Sequence, residues 1–189
     1  MASATELANQ ALIKLGSKMI SNIEAPVSAA GNICAELLQP ALDVFTTSFR
    51  WSWADAVSVL DPVAEPDPEP VDYEYQYEVP TDFLQLLSLK TPENTEITDY
   101  RINAGTTIEC DYDEIKLYYK ARIEATSLPP SEIDAFTSYL AHRLSPGIDG
   151  GKRANIMYQE YMQKVTMAFM EDASQRKEPV DSEDYFSGS

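Results

Sequence analysis

Residues 71–89, VDYEYQYEVPTDFLQLLSL, carry the clearest strand pattern in the chain. From 72 to 79 an aromatic or aliphatic side chain alternates with an acid or a glutamine, so the two kinds fall on opposite faces. A strand with one buried and one solvated face is typical of an antiparallel sheet. Pro80 lacks the N–H that ladder pairing requires, so the strand should end there. The pattern predicts an antiparallel β region with Tyr75, Tyr77 and Pro80 in its structural core.

The surrounding sequence extends this β region. Further short strands are predicted at 57–60, 84–90, 96–102, 106–111 and 114–123. The strand at 114–123 carries a row of basic residues, which we expect to pair across the sheet with the acidic row of 72–78. Trp51 and Trp53 precede the strands, and we expect both to be core residues whose truncation costs about 3–5 kcal/mol. Residues 61–70, DPVAEPDPEP, predict an extended, solvated loop.

Helical patterns flank the β region on both sides. Ser3 and Glu6 fit a capping box at the start of the first helix, and Gly16 fits a left-handed residue at its end. A second helix begins near Ser28, and Pro40 should kink or break it. After Pro129 two more helices follow, separated by a loop that begins at Pro146 and ends at Gly151.

Each of the four predicted helices has an apolar stripe, and the helix pairs are distant in sequence. They can bury these stripes only by packing against one another. The predicted fold class is therefore α+β, a four-helix bundle with an antiparallel β subdomain inserted between helices 2 and 3. The bundle comprises residues 1–50 and 129–174, and the insertion comprises 51–128. Residues 175–189 are predicted to be a flexible acidic tail.

The composition offers little for catalysis. Cys34 and Cys110 are isolated, as is usual in a reducing compartment, and His142 is the single histidine. These three residues are too few for a zinc site and show no Cys–His spacing. Acid pairs are expected by chance in a chain with 31 acidic residues. We predict no catalytic residue, no metal and no cofactor, and hence a protein that is not an enzyme.

The strongest compositional signal is a net charge of −17. It argues against ordinary nucleic-acid binding, in which basic groups grip phosphates. It leaves three interpretations open: simple solubility, mimicry of DNA, or a surface that DNA passes without sticking. No apolar run reaches the roughly 20 residues that cross a bilayer, and the first residues lack a signal-peptide pattern. We therefore expect no membrane contact and synthesis in a cytoplasm.

Several segments together resemble one family, the tail tubular protein A family of head-to-tail adaptors from short-tailed bacteriophages. They are ALIKLGSKMISNIE at 11–24, FRWSWADAVSVL at 49–60, YEYQYEVPTDFLQLLSL at 73–89 and the closing helix pair. The family pattern Tyr-x-Tyr-x-Leu-Pro-x-Asp-x-Leu matches residues 75–84, with Val79 in place of leucine. Pro40, the proline-rich loop and a carboxyl end without tryptophan depart from the family.

The resemblance implies a structural virion protein assembled in the bacterial host cytoplasm. It implies a homo-oligomeric ring, commonly of twelve subunits, that joins the portal to the tail nozzle and lets the DNA genome pass. In such a ring Asp67, Glu69, Asp72 and Glu74 are candidates for an acidic channel surface. Tyr185 and Phe186, two aromatics in the acidic tail, are candidates for docking on the portal. The alternatives are an acidic DNA-mimic protein and, less favoured, a tail-associated peptidoglycan-degrading enzyme.

Overall fold

The computed structural model describes residues 2–67 and 69–175 and combines helices with two small antiparallel sheets. The helices of this part of the chain are α1 (Ala4–Lys14), α2 (Ala29–Ser48), α3 (Pro130–Ile148) and α4 (Ala154–Gln175). The strands are β1 (Asp55–Leu60), β2 (Tyr75–Glu78), β3 (Phe83–Lys90), β4 (Arg101–Asn103), β5 (Thr107–Cys110) and β6 (Ile115–Ala121). The prediction of a mixed α and β chain is confirmed.

Helix α1 begins and ends as its sequence predicts. The Ser3 hydroxyl accepts a hydrogen bond from the Glu6 N–H, and the Glu6 carboxylate accepts one from the Ser3 N–H, which completes the capping box. At the other end Gly16 has a φ of 69°. The Ser17 N–H then reaches the Leu12 carbonyl at 2.9 Å, which closes the helix in a Schellman motif.

Neither helix ends at its internal proline. α2 continues through Pro40, and α3 continues through Pro146 to Ile148, so the connecting loop is shorter than predicted. Both prolines are exposed. On the exposed side of a helix, water can satisfy the carbonyl that a proline leaves without an N–H partner. Residues on the opposite side of α2, such as Leu38 and Leu42, are buried and hold the helix together.

The four helices contribute to one hydrophobic core, in which α3 packs against α1, α2 and α4. On α2, Cys34, Leu38 and Leu42 are buried in this core, whereas Val44 is exposed. Trp51, Ala54, Ala125 and Leu128 also belong to this core. Residues at both ends of the predicted insertion therefore pack with the helices.

Two three-stranded sheets share a second core. The first sheet has the order β1-β6-β3 and the second has the order β2-β5-β4, with all pairs antiparallel. Tyr77 and Ile108 from the second sheet meet Leu89, Ile115 and Leu117 from the first. β2 is also shorter than predicted, since ladder pairing begins only at Tyr75.

The expected pairing of the basic row with the acidic row is wrong. β6 carries the basic residues and lies between β1 and β3, whereas the acidic residues of β2 lie in the other sheet. Arg122 instead pairs with Asp43 of α2 at 3.0 Å. Lys120 is fully buried, and its ammonium donates to the Trp51 carbonyl and to Asp55. Alternation along a strand predicts on which face of the sheet each side chain lies, but it does not predict which strand pairs with it.

Candidate functional site

The negative charge of the chain is concentrated in one region. Residues 61–114 contain 15 acidic and 2 basic residues, a net charge of −13. Residues 2–60 contain 5 acids and 3 bases, and residues 115–175 contain 7 of each. The region 61–114 includes all of β2, β3, β4 and β5. The acidic surface is therefore a property of the β region, while the helical part is close to neutral.

The four predicted channel acids all lie on this surface. Asp67, Glu69, Asp72 and Glu74 are exposed, and they occupy the segment that leads into β2. The Glu74 N–H donates to the Asp111 carboxylate at 2.9 Å, which fixes the backbone just before the strand. Farther back, the Val63 N–H donates to the Gln76 carbonyl at 2.8 Å and holds the loop beside β2.

Arg101 of β4 is the basic residue that contacts the acidic side chains of this segment and of β5. Its guanidinium binds the Asp72 carboxylate, lies 3.7 Å from the Glu109 carboxylate, and stands 5.6 Å from the centre of the Tyr73 ring. The contact with Asp72 raises the pKa of Arg101. Our reading of the sequence missed this residue, because a single arginine in a short strand shows no pattern. Its contacts depend on the pairing of β4 with β5.

A shallow groove of about 450 Å³ lies between the acidic loop and β2. It is lined by prolines, small aliphatic residues and tyrosines, together with Glu69, Glu74 and Gln76. None of its lining residues is a histidine, cysteine, lysine or arginine. At this groove the Tyr75 hydroxyl donates to the Glu74 carboxylate at 3.2 Å.

The predicted core residues differ in burial. Trp51 is fully buried, and its indole N–H donates to the Phe45 carbonyl at 2.9 Å. Trp53 is half-buried and stacks on Trp51 at a centroid distance of 5.7 Å. Tyr77 is fully buried, whereas Tyr75 and Pro80 are half-buried. The Pro80 carbonyl accepts the Phe83 N–H at 3.0 Å, which turns the chain from β2 into β3.

The proposed docking residues Tyr185 and Phe186 lie outside the described residues.

The two cysteines and the histidine, the side chains best suited to nucleophilic or acid–base chemistry, lie in different parts of the fold. Cys34 belongs to the helical core and Cys110 to the core of the sheets. Burial raises the pKa of the Cys34 thiol to about 11, so the reactive thiolate is disfavoured. The Nδ1 of His142 lies 3.0 Å from the Ala154 carbonyl, which places this histidine in the packing between α3 and α4.

Three negative findings apply to the part of the chain that the structure describes. Within residues 2–67 and 69–175, no group of three or more histidine, cysteine or acidic side chains is arranged to hold a metal ion. Over the same residues, no helix is both long enough and apolar enough to span a membrane. Comparison with protein-family models and with curated proteins finds no match to this chain.

Proposed function

We propose that this chain is a structural, non-enzymatic head-to-tail adaptor of a short-tailed bacteriophage virion. In this proposal it forms a ring beneath the portal, joins the portal to the tail nozzle, and surrounds the genome as it passes. The observation that carries the proposal is the resemblance of four segments, in the family's order, to the tail tubular protein A family. The match at residues 75–84 is the most specific of the four.

The distribution of charge supports this proposal. Twelve copies of a chain with a charge of −17 would give a ring with about −200 charges. In each copy most of that charge belongs to residues 61–114. Carboxylates near a DNA duplex repel its phosphates over a screening length of about 8 Å in physiological salt. An acidic channel wall lets DNA slide because it offers the phosphates no cation to bind.

We assign the channel role to the surface that contains Asp67, Glu69, Asp72 and Glu74. These four residues are exposed. Two hydrogen bonds hold their segment: the Val63 N–H donates to the Gln76 carbonyl, and the Glu74 N–H donates to the Asp111 carboxylate. Arg101 neutralises only part of this surface, since it binds Asp72.

The helical part has the complementary role in this proposal. We propose that α1 to α4 act as one four-helix bundle that packs against neighbouring subunits and against the portal, with the β region directed to the tail nozzle. The shared core of the four helices supports a rigid scaffold. The near-neutral charge of the helical part supports close packing, because neighbouring copies would repel each other less there than through their acidic sheets.

Electron microscopy of the purified chain mixed with its cognate portal tests the function. We expect closed rings on the portal that are absent when either component is omitted. A compact monomer or dimer that competes with DNA for a host protein would favour the DNA-mimic alternative. Release of peptidoglycan fragments that depends on one carboxylate would favour the enzyme. Either result without rings would contradict the adaptor.

A further inference from the structure

The outer side of α4 exposes no charged residue over several turns. Its exposed residues from 155 to 170 are all apolar or uncharged polar: Asn155, Ile156, Tyr158, Gln159, Met162, Gln163, Thr166, Met167 and Met170. Ile156, Met167 and Met170 are 59%, 72% and 66% exposed. Spacings of three or four residues place five of these residues in one stripe along the helix. We call this stripe the methionine face: Ile156, Gln159, Gln163, Met167 and Met170.

The two charged residues of α4 within this range already have partners in the same chain. Glu160 and Lys164 pair with each other, and Lys14 of α1 and Asp134 of α3 complete the network. A contact at the methionine face can therefore remove apolar surface from water without leaving a charge unpaired. An apolar strip of this kind on a protein surface is typical of an interaction site.

The negative charge of the chain limits how a second copy can approach this face. The acidic β region is attached near the carboxyl end of α4, where the Ser52 N–H donates to the Asp172 carboxylate at 3.1 Å, just before β1. In two antiparallel α4 helices centred on Gln163, each Asp172 lies nine residues beyond the centre. The two attachment points are then about 27 Å apart along the helices, at a rise of about 1.5 Å per residue. This separation exceeds the screening length of about 8 Å in physiological salt, so the antiparallel arrangement keeps repulsion low.

The methionine face is complementary to itself in this antiparallel arrangement. Ile156 of each copy comes level with Met170 of the other, because both lie seven residues from Gln163. Gln159 comes level with Met167 in the same way, since both lie four residues from Gln163. The two Gln163 side chains meet at the centre, where each amide offers both a donor and an acceptor to its copy. A parallel pair would instead place the two acidic regions side by side.

We propose that the methionine face binds the methionine face of a second copy of this chain, antiparallel, with a two-fold axis at Gln163. Each copy uses the same surface, so the contact is closed and yields a dimer. The near-neutral helical parts meet, and the acidic β regions lie at opposite ends of the pair. This inference does not rest on the proposed function, because a pair closed by a two-fold axis neither builds a ring nor needs one.

Charges introduced at Gln163 test the position of the axis. Gln163→Lys and Gln163→Glu each bring two like charges together when identical copies pair. We therefore expect each variant to dimerise at least about tenfold more weakly than the unmodified chain. In an equimolar mixture of the two variants a lysine meets a glutamate at the axis, and dimerisation should return. Sedimentation velocity in physiological salt measures both effects.

Gln10 provides the matched control, because it is an exposed glutamine on another helix, α1. Gln10→Lys and Gln10→Glu make the same changes in net charge as the variants at Gln163. Each should dimerise as the unmodified chain does, and mixing the two should give no gain. Loss of dimerisation in these controls equal to the loss at Gln163 would show an effect of net charge and would overturn the inference.

A cross-link tests the same axis independently of charge. The native thiols of Cys34 and Cys110 are buried, so a cysteine introduced at residue 163 is the accessible one among the described residues. Two copies of Gln163→Cys meet at the axis, within the Cα separation of about 4.4–6.8 Å that a disulfide spans. Mild oxidation should give a covalent dimer from Gln163→Cys and much less from Gln10→Cys.

The results have opposite consequences for the inference. A covalent dimer through residue 163, together with association restored in the mixture of charged variants, would establish the antiparallel pair. If the unmodified chain stays monomeric up to about 1 mM, the contact does not exist. Dimerisation that charges at residue 163 leave unchanged would place the interface elsewhere. If Gln163→Cys cross-links to the portal and not to its own copy, the occupant is the portal and the inference is wrong.

Discussion

Trp51 and Trp53 stand two residues apart in sequence but occupy different environments. Trp51 is fully buried among Phe45, Phe49 and Phe169, and its N–H has an acceptor. Trp53 is half-buried, and its N–H lies out of solvent without an acceptor among the described residues. No local pattern distinguishes the two tryptophans, since their burial depends on how the chain leaves α2.

We predict that Trp51→Ala lowers the free energy of unfolding by about 3–5 kcal/mol, the usual cost of deleting a fully buried aromatic side chain. Trp53→Ala should cost about half as much, because less apolar surface returns to water. Urea denaturation of both variants measures the difference. Equal losses for the two would contradict the packing described above.

Lys120 is a second residue whose role emerges only from the fold. It belongs to the basic row of β6, yet only 1% of its side chain is exposed, and it satisfies the Trp51 carbonyl at the junction of helices and sheets. Lys120→Met keeps the apolar stem but leaves that carbonyl without its donor. We expect a loss of about 1–3 kcal/mol in the free energy of unfolding.

Lys116→Met is the matched control for this prediction, since it makes the same change on the same strand at a half-exposed site. It should alter the free energy of unfolding by less than about 1 kcal/mol. Chemical denaturation compares the two variants. A larger loss for Lys116→Met than for Lys120→Met would disprove the assignment.

At the scale of elements, a charged network joins three helices. Lys14 of α1 lies 2.6 Å from Glu160 of α4, and both Lys14 and Lys164 also contact Asp134 of α3, at 3.2 Å and 2.7 Å. Burial alone would raise the pKa of Glu160, but the hydrogen bonds from the two lysines outweigh it and hold this pKa at about 2. The carboxylate form is therefore favoured by folding.

This network predicts a pH dependence of stability. Because the pKa of Glu160 is lower in the folded chain than its ordinary value of 4.5, its contribution is complete above about pH 5 and is lost as the pH falls toward 2. Glu160→Gln should remove about 1–3 kcal/mol at pH 7 and flatten the decline between pH 5 and 2. Urea denaturation across this range measures it. Glu171→Gln, an exposed site on the same helix, should retain the decline of the unmodified chain.

Local sequence patterns predicted some features of the helices and strands and failed at others. The capping box, the left-handed Gly16 and the alternation near Tyr75 and Tyr77 all predicted local structure that the chain adopts. α2 does not break at Pro40, and the loop predicted from Pro146 begins only after Ile148, because burial on the opposite side of each helix outweighs the lost hydrogen bond. Local propensity is a weak guide wherever packing acts on the same residues.

At the scale of the whole molecule, the separation of charge leads to a prediction for genome passage. Replacing Asp67, Glu69, Asp72 and Glu74 by their amides removes four of the net 13 negative charges of residues 61–114. If these acids line the channel, DNA phosphates should meet less repulsion and should contact the wall for longer, so genome ejection should slow. Timing ejection from virions that carry the variant measures this.

The control for that experiment neutralises four exposed acids of the helical and junction segments, namely Glu24, Glu36, Glu124 and Glu171. It changes the net charge of the chain by the same amount but should leave the rate of ejection unchanged. Unchanged ejection in both variants would count against a channel role for the acidic loop.

The sequence by itself determined the alternation around Tyr75 and Tyr77, the caps of α1, the mixed α and β class and the acidic character of residues 61–78. These features depend on near neighbours along the chain, and near neighbours are what a sequence displays. Only the tertiary structure decided which strands pair, that Lys120 is buried, and that Lys90 faces Lys116. These features depend on contacts between residues far apart in sequence. They arise because the chain buries its apolar surface in two hydrophobic cores, and that burial determines which distant segments meet.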